Sequence, residues 1–287
     1  MSSWSNRGPA DNIPLSRVIT TSSVPIVSVV LRSGFGNRLF QILAALGYAE
    51  RTGKRFVFVE KQMQENFHSS ARLTKDLLAA LFPKVKFYRG VVDYWNHFYE
   101  GADDFYSGDL IKDISGCVLL HGYFQNAAHF PTDYRALFKV PKPSIINFDL
   151  GSVNFAKTYF IHFRLGDYVD SDYDVNLTSY YKKVLSIVPS DVTFLIFSDQ
   201  PDKLKMSDYF DDSGRYKVVT AGLWETLYLM SLCSGAICAN STFSWFGAYA
   251  CKGSVDTIYM PTIWKKGAVG SPVPNWATAV PVLSTQS

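Results

Sequence analysis

His162, Arg164 and Asp167 lie close together in the run Tyr159-Phe-Ile-His-Phe-Arg-Leu-Gly-Asp-Tyr-Val169, where an apolar stretch gives way to charge. Arg164 can hold a phosphate, because its planar fork stays charged and bonds two oxygens at once. It can equally pair with Asp167 across the turn that Gly166 permits, and the run alone leaves both readings open. Ser198 and Asp199 form a second polar cluster, and Asn240, Ser241 and Thr242 a third. A carboxylate such as Asp199 could accept from a ribose or from the N–H groups of a base. Ser241 and Thr242, with Phe243 in the first turn, read as a helix N-terminus, whose N–H groups and dipole favour an anion. An ordinary helix cap explains the two hydroxyls, but not their convergence with Arg164.

A further candidate is the turn Ser33-Gly-Phe-Gly-Asn-Arg38. A dinucleotide fingerprint would need a third glycine where Leu39 stands, so that reading fails. Asn37 and Arg38 instead offer polar side chains to a crevice. Together the clusters describe a diphosphate site and a nucleotide-linked substrate.

These residues need strands to carry them. Pro25 to Leu31 reads as a strand, Leu39 to Arg51 as an amphipathic helix stopped by Gly53, and Arg55 to Val59 as a second strand: a βαβ unit. Between residues 62 and 143 helical and extended pieces alternate, including a helical piece from Asp76 to Phe82. Cys117 to Phe124 reads as a strand leading into a loop with Gln125 and Asn126 that could line an acceptor site. For His121 and Tyr123 core packing is the rival reading. From Thr158 the alternation is regular. Strands fall at Tyr159–Phe163, Val192–Phe197, Tyr216–Thr220, Ala236–Ala239 and Thr257–Met260. Helices fall at Thr178–Ile187, from Pro201, at Trp224–Cys233 and up to Cys251. Strands alternating with helices imply a doubly wound, mainly parallel sheet, with ligands at the carboxyl ends of the strands. The expected division is a disordered segment at 1–24, one Rossmann-like domain at 25–150 and a second, nucleotide-binding one at 151–287.

The 287 residues suffice for two domains, and 47% hydrophobic residues suit a large core. A net charge of +3 is too weak for a duplex nucleic-acid binder, so no nucleic-acid partner is expected. The cysteines at 117, 233, 238 and 251 include no Cys-x-x-Cys pair, which argues against a zinc or redox motif. Neither a signal-peptide core nor a membrane span is legible, so a soluble, cytoplasmic protein is expected.

The chain also resembles the family 11 glycosyltransferases, the α-1,2-fucosyltransferases. Gly34-Phe-Gly-Asn-Arg-Leu-Phe-Gln41 is similar to that family's Gly-Leu-Gly-Asn-Gln-Met-Phe-Gln. Gly122-Tyr-Phe-Gln125 and Phe197-Ser-Asp199 match further segments. His162-Phe-Arg-Leu-Gly-Asp-Tyr-Val169 resembles His-x-Arg-Arg-Gly-Asp-Tyr-Val, and Ala239-Asn-Ser-Thr-Phe-Ser-Trp245 resembles Ala-Asn-Ser-Ser-Phe-Ser-Trp. The resemblance implies a GT-B fold: two Rossmann-like domains with the active site in the cleft between them. It implies a GDP-sugar donor, GDP-fucose by default, a glycan acceptor, inversion at the anomeric carbon, and neither metal nor cofactor. Arg164 would hold the diphosphate, and His162 and Asp199 would face the guanosine. Ser241, Thr242 and Phe243 would give backbone contacts to phosphate, with Gly36 and Asn37 closing from the first domain. Leu165 departs from the pattern, which has a second arginine there, and Phe246 replaces a tryptophan.

Inverting transfer needs a base for the acceptor hydroxyl. The loop after Arg164 offers Asp167, Asp170, Asp172 and Asp174. Asp167 would orient Arg164, and by analogy with α-1,6-fucosyltransferases Asp172 would be the base. Asp170-Ser-Asp172 also spells the metal-binding Asp-x-Asp of GT-A transferases, but a GT-A domain leaves the Gly34 turn unexplained.

Overall fold

The computed structural model describes residues 24–59, 75–88, 92, 95–101, 106–210 and 213–283. The segment expected to be disordered, apart from Val24, lies outside the described residues.

The first domain begins with β1 (Ile26–Val29), α1 (Phe35–Thr52) and β2 (Arg55–Val59). α2 (Lys75–Leu81), β3 (Lys86–Tyr88), β4 (Asn96–Tyr99) and β5 (Val118–His121) follow, then the short α3 (Tyr134–Leu137). All pairings are parallel, in the order β3-β2-β1-β5-β4. The Ile-Val-Ser-Val run of β1 is buried at every position, as a strand covered on both faces must be. α1 starts at Phe35, four residues before the expected helix, because Gly34 takes an extended N-cap conformation. At its far end Gly53, at φ 67°, supplies the left-handed C-cap.

The second domain holds β6 (Thr158–Phe163), α4 (Thr178–Ile187), β7 (Thr193–Ser198) and β8 (Tyr216–Val218). It continues with α5 (Leu223–Leu232), β9 (Gly235–Ile237), α6 (Thr242–Ala250), β10 (Ile258–Pro261) and β11 (Thr278–Val280). This sheet is also parallel, in the order β11-β10-β9-β6-β7-β8. The expected helix from Pro201 is instead a pair of 3-10 turns, Pro201–Lys203 and Met206–Asp208. Lys203, Lys205 and Asp208 interrupt any apolar stripe there, so Leu204, Met206 and Phe210 reach the core from successive turns.

Two Rossmann-like domains with parallel sheets are therefore present, the GT-B arrangement. They share one hydrophobic core rather than touching lightly. Phe40 of α1 packs on Trp245 and Phe246 of α6 at ring distances of 4.8 and 5.1 Å. Trp276 Nε1 donates to the Tyr134 hydroxyl at 2.8 Å. Between the domains, Asn147 N and Phe148 N both donate to Glu225 of α5, at 2.6 and 2.9 Å.

Candidate active site

Each sheet has one point where the chain reverses its direction of strand addition, and there the carboxyl ends of neighbouring strands splay to leave a crevice. In the first domain this point lies between β1 and β5, and in the second between β6 and β9. The loops leaving these strands hold the clusters singled out above. After β1 comes the turn to Gly36 and Asn37, and after β5 Tyr123 and Gln125. After β6 come Arg164 and Asp167, and after β9 Asn240 and Ser241. A cleft of about 840 Å³ opens between them, lined from both domains. Across the first-domain crevice, Ser33 Oγ meets the Tyr123 hydroxyl at 2.9 Å, and Gln125 Nε2 donates to Asn37 Oδ1 at 2.8 Å.

Arg164 is held by two carboxylates. Its NH2 is 2.7 Å from Asp167 Oδ1 and its NH1 is 3.2 Å from Asp199 Oδ2. The guanidinium lies 5.4 Å from the Tyr168 ring centroid. Asp199 also accepts from the backbone N–H of Leu165 at 2.9 Å and of Gly166 at 3.0 Å. A Cβ at Gly166 would stand 2.5 Å from Asp199 Oδ2, so any larger residue there would push the carboxylate aside. Arg164 thus pairs with Asp167 and also lines the cleft.

His162 lines the same wall but is buried, and its Nδ1 has no hydrogen-bond partner among the described residues. Burial pushes its imidazole pKa down to about 3, with the Arg164 charge adding and Asp199 opposing. It is therefore neutral at ordinary pH. Tyr168, whose hydroxyl donates to Asn240 O at 3.2 Å, is pushed up to about 12, chiefly by burial.

The helices α1 and α6 meet by their N-terminal turns. A Cβ on Gly36 would come 2.5 Å from Phe243 N and 2.6 Å from Thr242 Oγ1. Only glycine lets the helices approach this closely. Ser241 is the N-cap of α6, yet its side chain makes no capping bond, and Gly34 at the α1 N-cap has none to make. The first N–H groups of both helices, which have no intrahelical partner, thus stand at the cleft.

Of the residues expected in the site, Gly36, Asn37, His162, Arg164, Asp167, Asp199, Ser241, Thr242 and Phe243 line the cleft. Arg38 does not. Because α1 begins early, Arg38 is already a turn into the helix and faces inward, 1% exposed, and burial lowers its guanidinium pKa. Asp172 is also off the lining: its carboxylate is 69% exposed and lies 3.8 Å from Lys265 Nζ. Tyr168, Tyr173, Trp264 and Lys265 line the cleft without having been anticipated as site residues. The signal for the last two was positional, since they follow β10 and so fall at the carboxyl edge of the sheet.

Two Rossmann-like domains with their switch points facing one cleft form the GT-B architecture found among glycosyltransferases. The family model described as "Glycosyl transferase family 11" matches residues 28–266, and the chain belongs to that family. An Escherichia coli protein named alpha-1,2-colitosyltransferase is 26% identical over 273 residues, spanning 83% of this chain and 92% of its own. The O-antigen biosynthesis glycosyltransferase WbnK of Escherichia coli is 30% identical over 124 residues, 39% of this chain and 40% of its own. Among solved structures, fucosyltransferase NodZ from Bradyrhizobium aligns with a TM-score of 0.41 at 15% identity, covering 78% of this chain and 92% of that one. Escherichia coli heptosyltransferase WaaC with ADP aligns at 0.40 and 11%, covering 90% and 93%. Among the described residues no helix is long and apolar enough to cross a membrane.

Proposed function

We propose that this glycosyltransferase moves L-fucose from GDP-fucose to a hydroxyl of a glycan acceptor, with inversion, without a metal, and in the α-1,2 manner. The observation that carries this reading is the meeting of α1 and α6 beside Arg164. Each helix N-terminus carries about half a positive charge, and two abutting ends repel unless an anion lies between them. A sugar diphosphate is such an anion.

In this reading Arg164 grips the diphosphate, the backbone N–H groups of Thr242 and Phe243 bind phosphate oxygens, and Gly36 and Asn37 complete the site from the first domain. A carboxylate has about four acceptor positions. Asp199 already receives Leu165 N, Gly166 N and Arg164, so it positions the arginine and keeps one position for the nucleoside. His162, neutral and with Nδ1 unsatisfied, turns toward the nucleoside as well. As the sugar departs, charge grows on the diphosphate, and fixed donors lining the cleft stabilise that charge more than the ground state. Asp167 is the carboxylate of its loop that lines the cleft, and it takes the proton of the acceptor hydroxyl. Asp172, the alternative base, is well exposed and lies off the cleft lining.

Colitose is the second donor sugar to consider, because the relative spanning 83% of this chain is named for its transfer. A thermal-shift screen across GDP-, UDP- and dTDP-linked sugars, including GDP-fucose and GDP-colitose, ranks the donors, since a ligand of the native state raises the melting temperature. Labelled transfer to glycan acceptors in chelator follows. Stabilisation by GDP-sugars with chelator-resistant transfer is expected. A response confined to UDP- or dTDP-sugars, or transfer that returns only with manganese, would contradict the proposal. GDP-sugar binding without turnover would leave a binding module.

A further inference from the structure

We infer that Lys265 is a second cation of the donor site and binds the diphosphate together with Arg164; the inference rests on the nucleotide-sugar reading above. The charged side chains lining the cleft among the described residues are Arg164, Lys265, Asp167 and Asp199. Two cations and two carboxylates cancel, and His162 is neutral. Arg164 is engaged by both carboxylates. Without Lys265 the lining would carry net negative charge, and the helix N-termini alone would have to attract a ligand bearing a charge on each phosphate. Leu165, next to Arg164, packs against the apolar cluster of the second domain and adds no charge to the wall.

Lys265 is built into the same wall as Arg164. Arg164 lies over the Tyr168 ring, Tyr168 stacks on Tyr173 at 5.2 Å, and Lys265 Nζ lies 5.9 Å from the Tyr173 centroid. Cations over aromatic faces are held without being neutralised. The backbone on either side is fixed: Asn240 Nδ2 donates to Trp264 O at 2.9 Å, and Lys266 N donates to Asp172 O at 2.8 Å. The Lys265 side chain is 28% exposed and lines the cleft. Its ion pair with Asp172 is long and Asp172 is well exposed, so water weakens that pair.

The rival role is purely structural, with Lys265 anchoring the 167–174 loop through Asp172. Binding of GDP and of uncharged guanosine to the parent, Lys265→Gln, Lys265→Arg and Asp172→Asn separates the two roles, at matched folded concentration. Lys265→Gln is expected to lose about ten-fold or more in GDP affinity, as for a charged hydrogen bond, while binding guanosine like the parent. Lys265→Arg should recover most of the loss, and Asp172→Asn should leave GDP affinity within about two-fold of the parent. Parental GDP affinity in Lys265→Gln, or an equal loss in Lys265→Gln and Asp172→Asn, would overturn the assignment. A parent that binds no GDP would overturn the GDP-sugar reading itself, and this inference with it.

Discussion

At the scale of single residues, His162 couples the site to stability. Its pKa falls from the usual 6.5 to about 3 because the folded protein buries it. Above pH 6.5 it is neutral folded or unfolded. As the pH falls from 6.5 toward 3 the unfolded chain takes up a proton that the folded chain refuses, so stability is lost over that window. The loss is about 1.4 kcal/mol per pH unit for one such group. His162→Gln should therefore flatten the acid side of a stability–pH profile measured by denaturant unfolding. An unchanged acid slope would show that other groups set it. The imidazole could be placed at a strand end from its motif, but its neutrality could not: that depends on Phe243, 5.7 Å away, and on burial supplied by another loop. The same holds for Arg164. Its place after an apolar run was legible, while the pairing with Asp199 came from β7, which sequence order alone does not put beside β6. Arg38 turns inward because the first turn of α1 already begins at Phe35, which the residue pattern did not show.

At the scale of elements, the site depends on how closely two helices can approach. Gly36→Ala adds a methyl that meets the α6 backbone, which cannot swing aside as a flexible side chain could. The expected cost is about 1–3 kcal/mol of stability. GDP affinity should fall as well, because the N-terminal turns move apart. Urea unfolding together with calorimetry checks both, and parental stability in Gly36→Ala would show that the helices do not meet this closely. Long elements announced themselves: the buried runs of β1, β6 and β7 and the apolar face of α1 follow from residue type and period. The short ones did not. β4 is Asn-His-Phe-Tyr, half exposed, and β3 and β11 have three residues each, too few to show a period. Lys265 escaped notice for a related reason, since Trp-Lys-Lys after β10 is no motif and gains meaning only from its place on the sheet edge.

At the scale of the molecule, the two domains are joined by an aromatic core around Trp245, fully buried, with Phe40, Phe130 and Trp276 packed on its ring. Its Nε1 donates to Pro272 O at 2.8 Å. Such a junction should make unfolding one cooperative event, with equal calorimetric and van't Hoff enthalpies. Trp245→Ala should cost about 3–5 kcal/mol and lower that single transition. Two resolved transitions in the parent would mean that the domains unfold separately. Two doubly wound, mainly parallel domains could be read from alternating strands and helices, and the family resemblance implied the GT-B arrangement, but the shared core could not be read, because neither sequence half shows which helix faces the other. That core sets the walls of the cleft, and the cleft's purpose turns on Arg164. The most direct measurement is GDP binding by calorimetry to the parent and to Arg164→Lys, with melting temperatures recorded alongside. Lysine keeps the charge and loses the fork that bonds two oxygens. The expected result is that Arg164→Lys folds like the parent and binds GDP about ten-fold more weakly, or worse. A folded Arg164→Lys with parental GDP affinity would show that Arg164 only ties down Asp167 and Asp199, and that the diphosphate, if it binds, lies elsewhere.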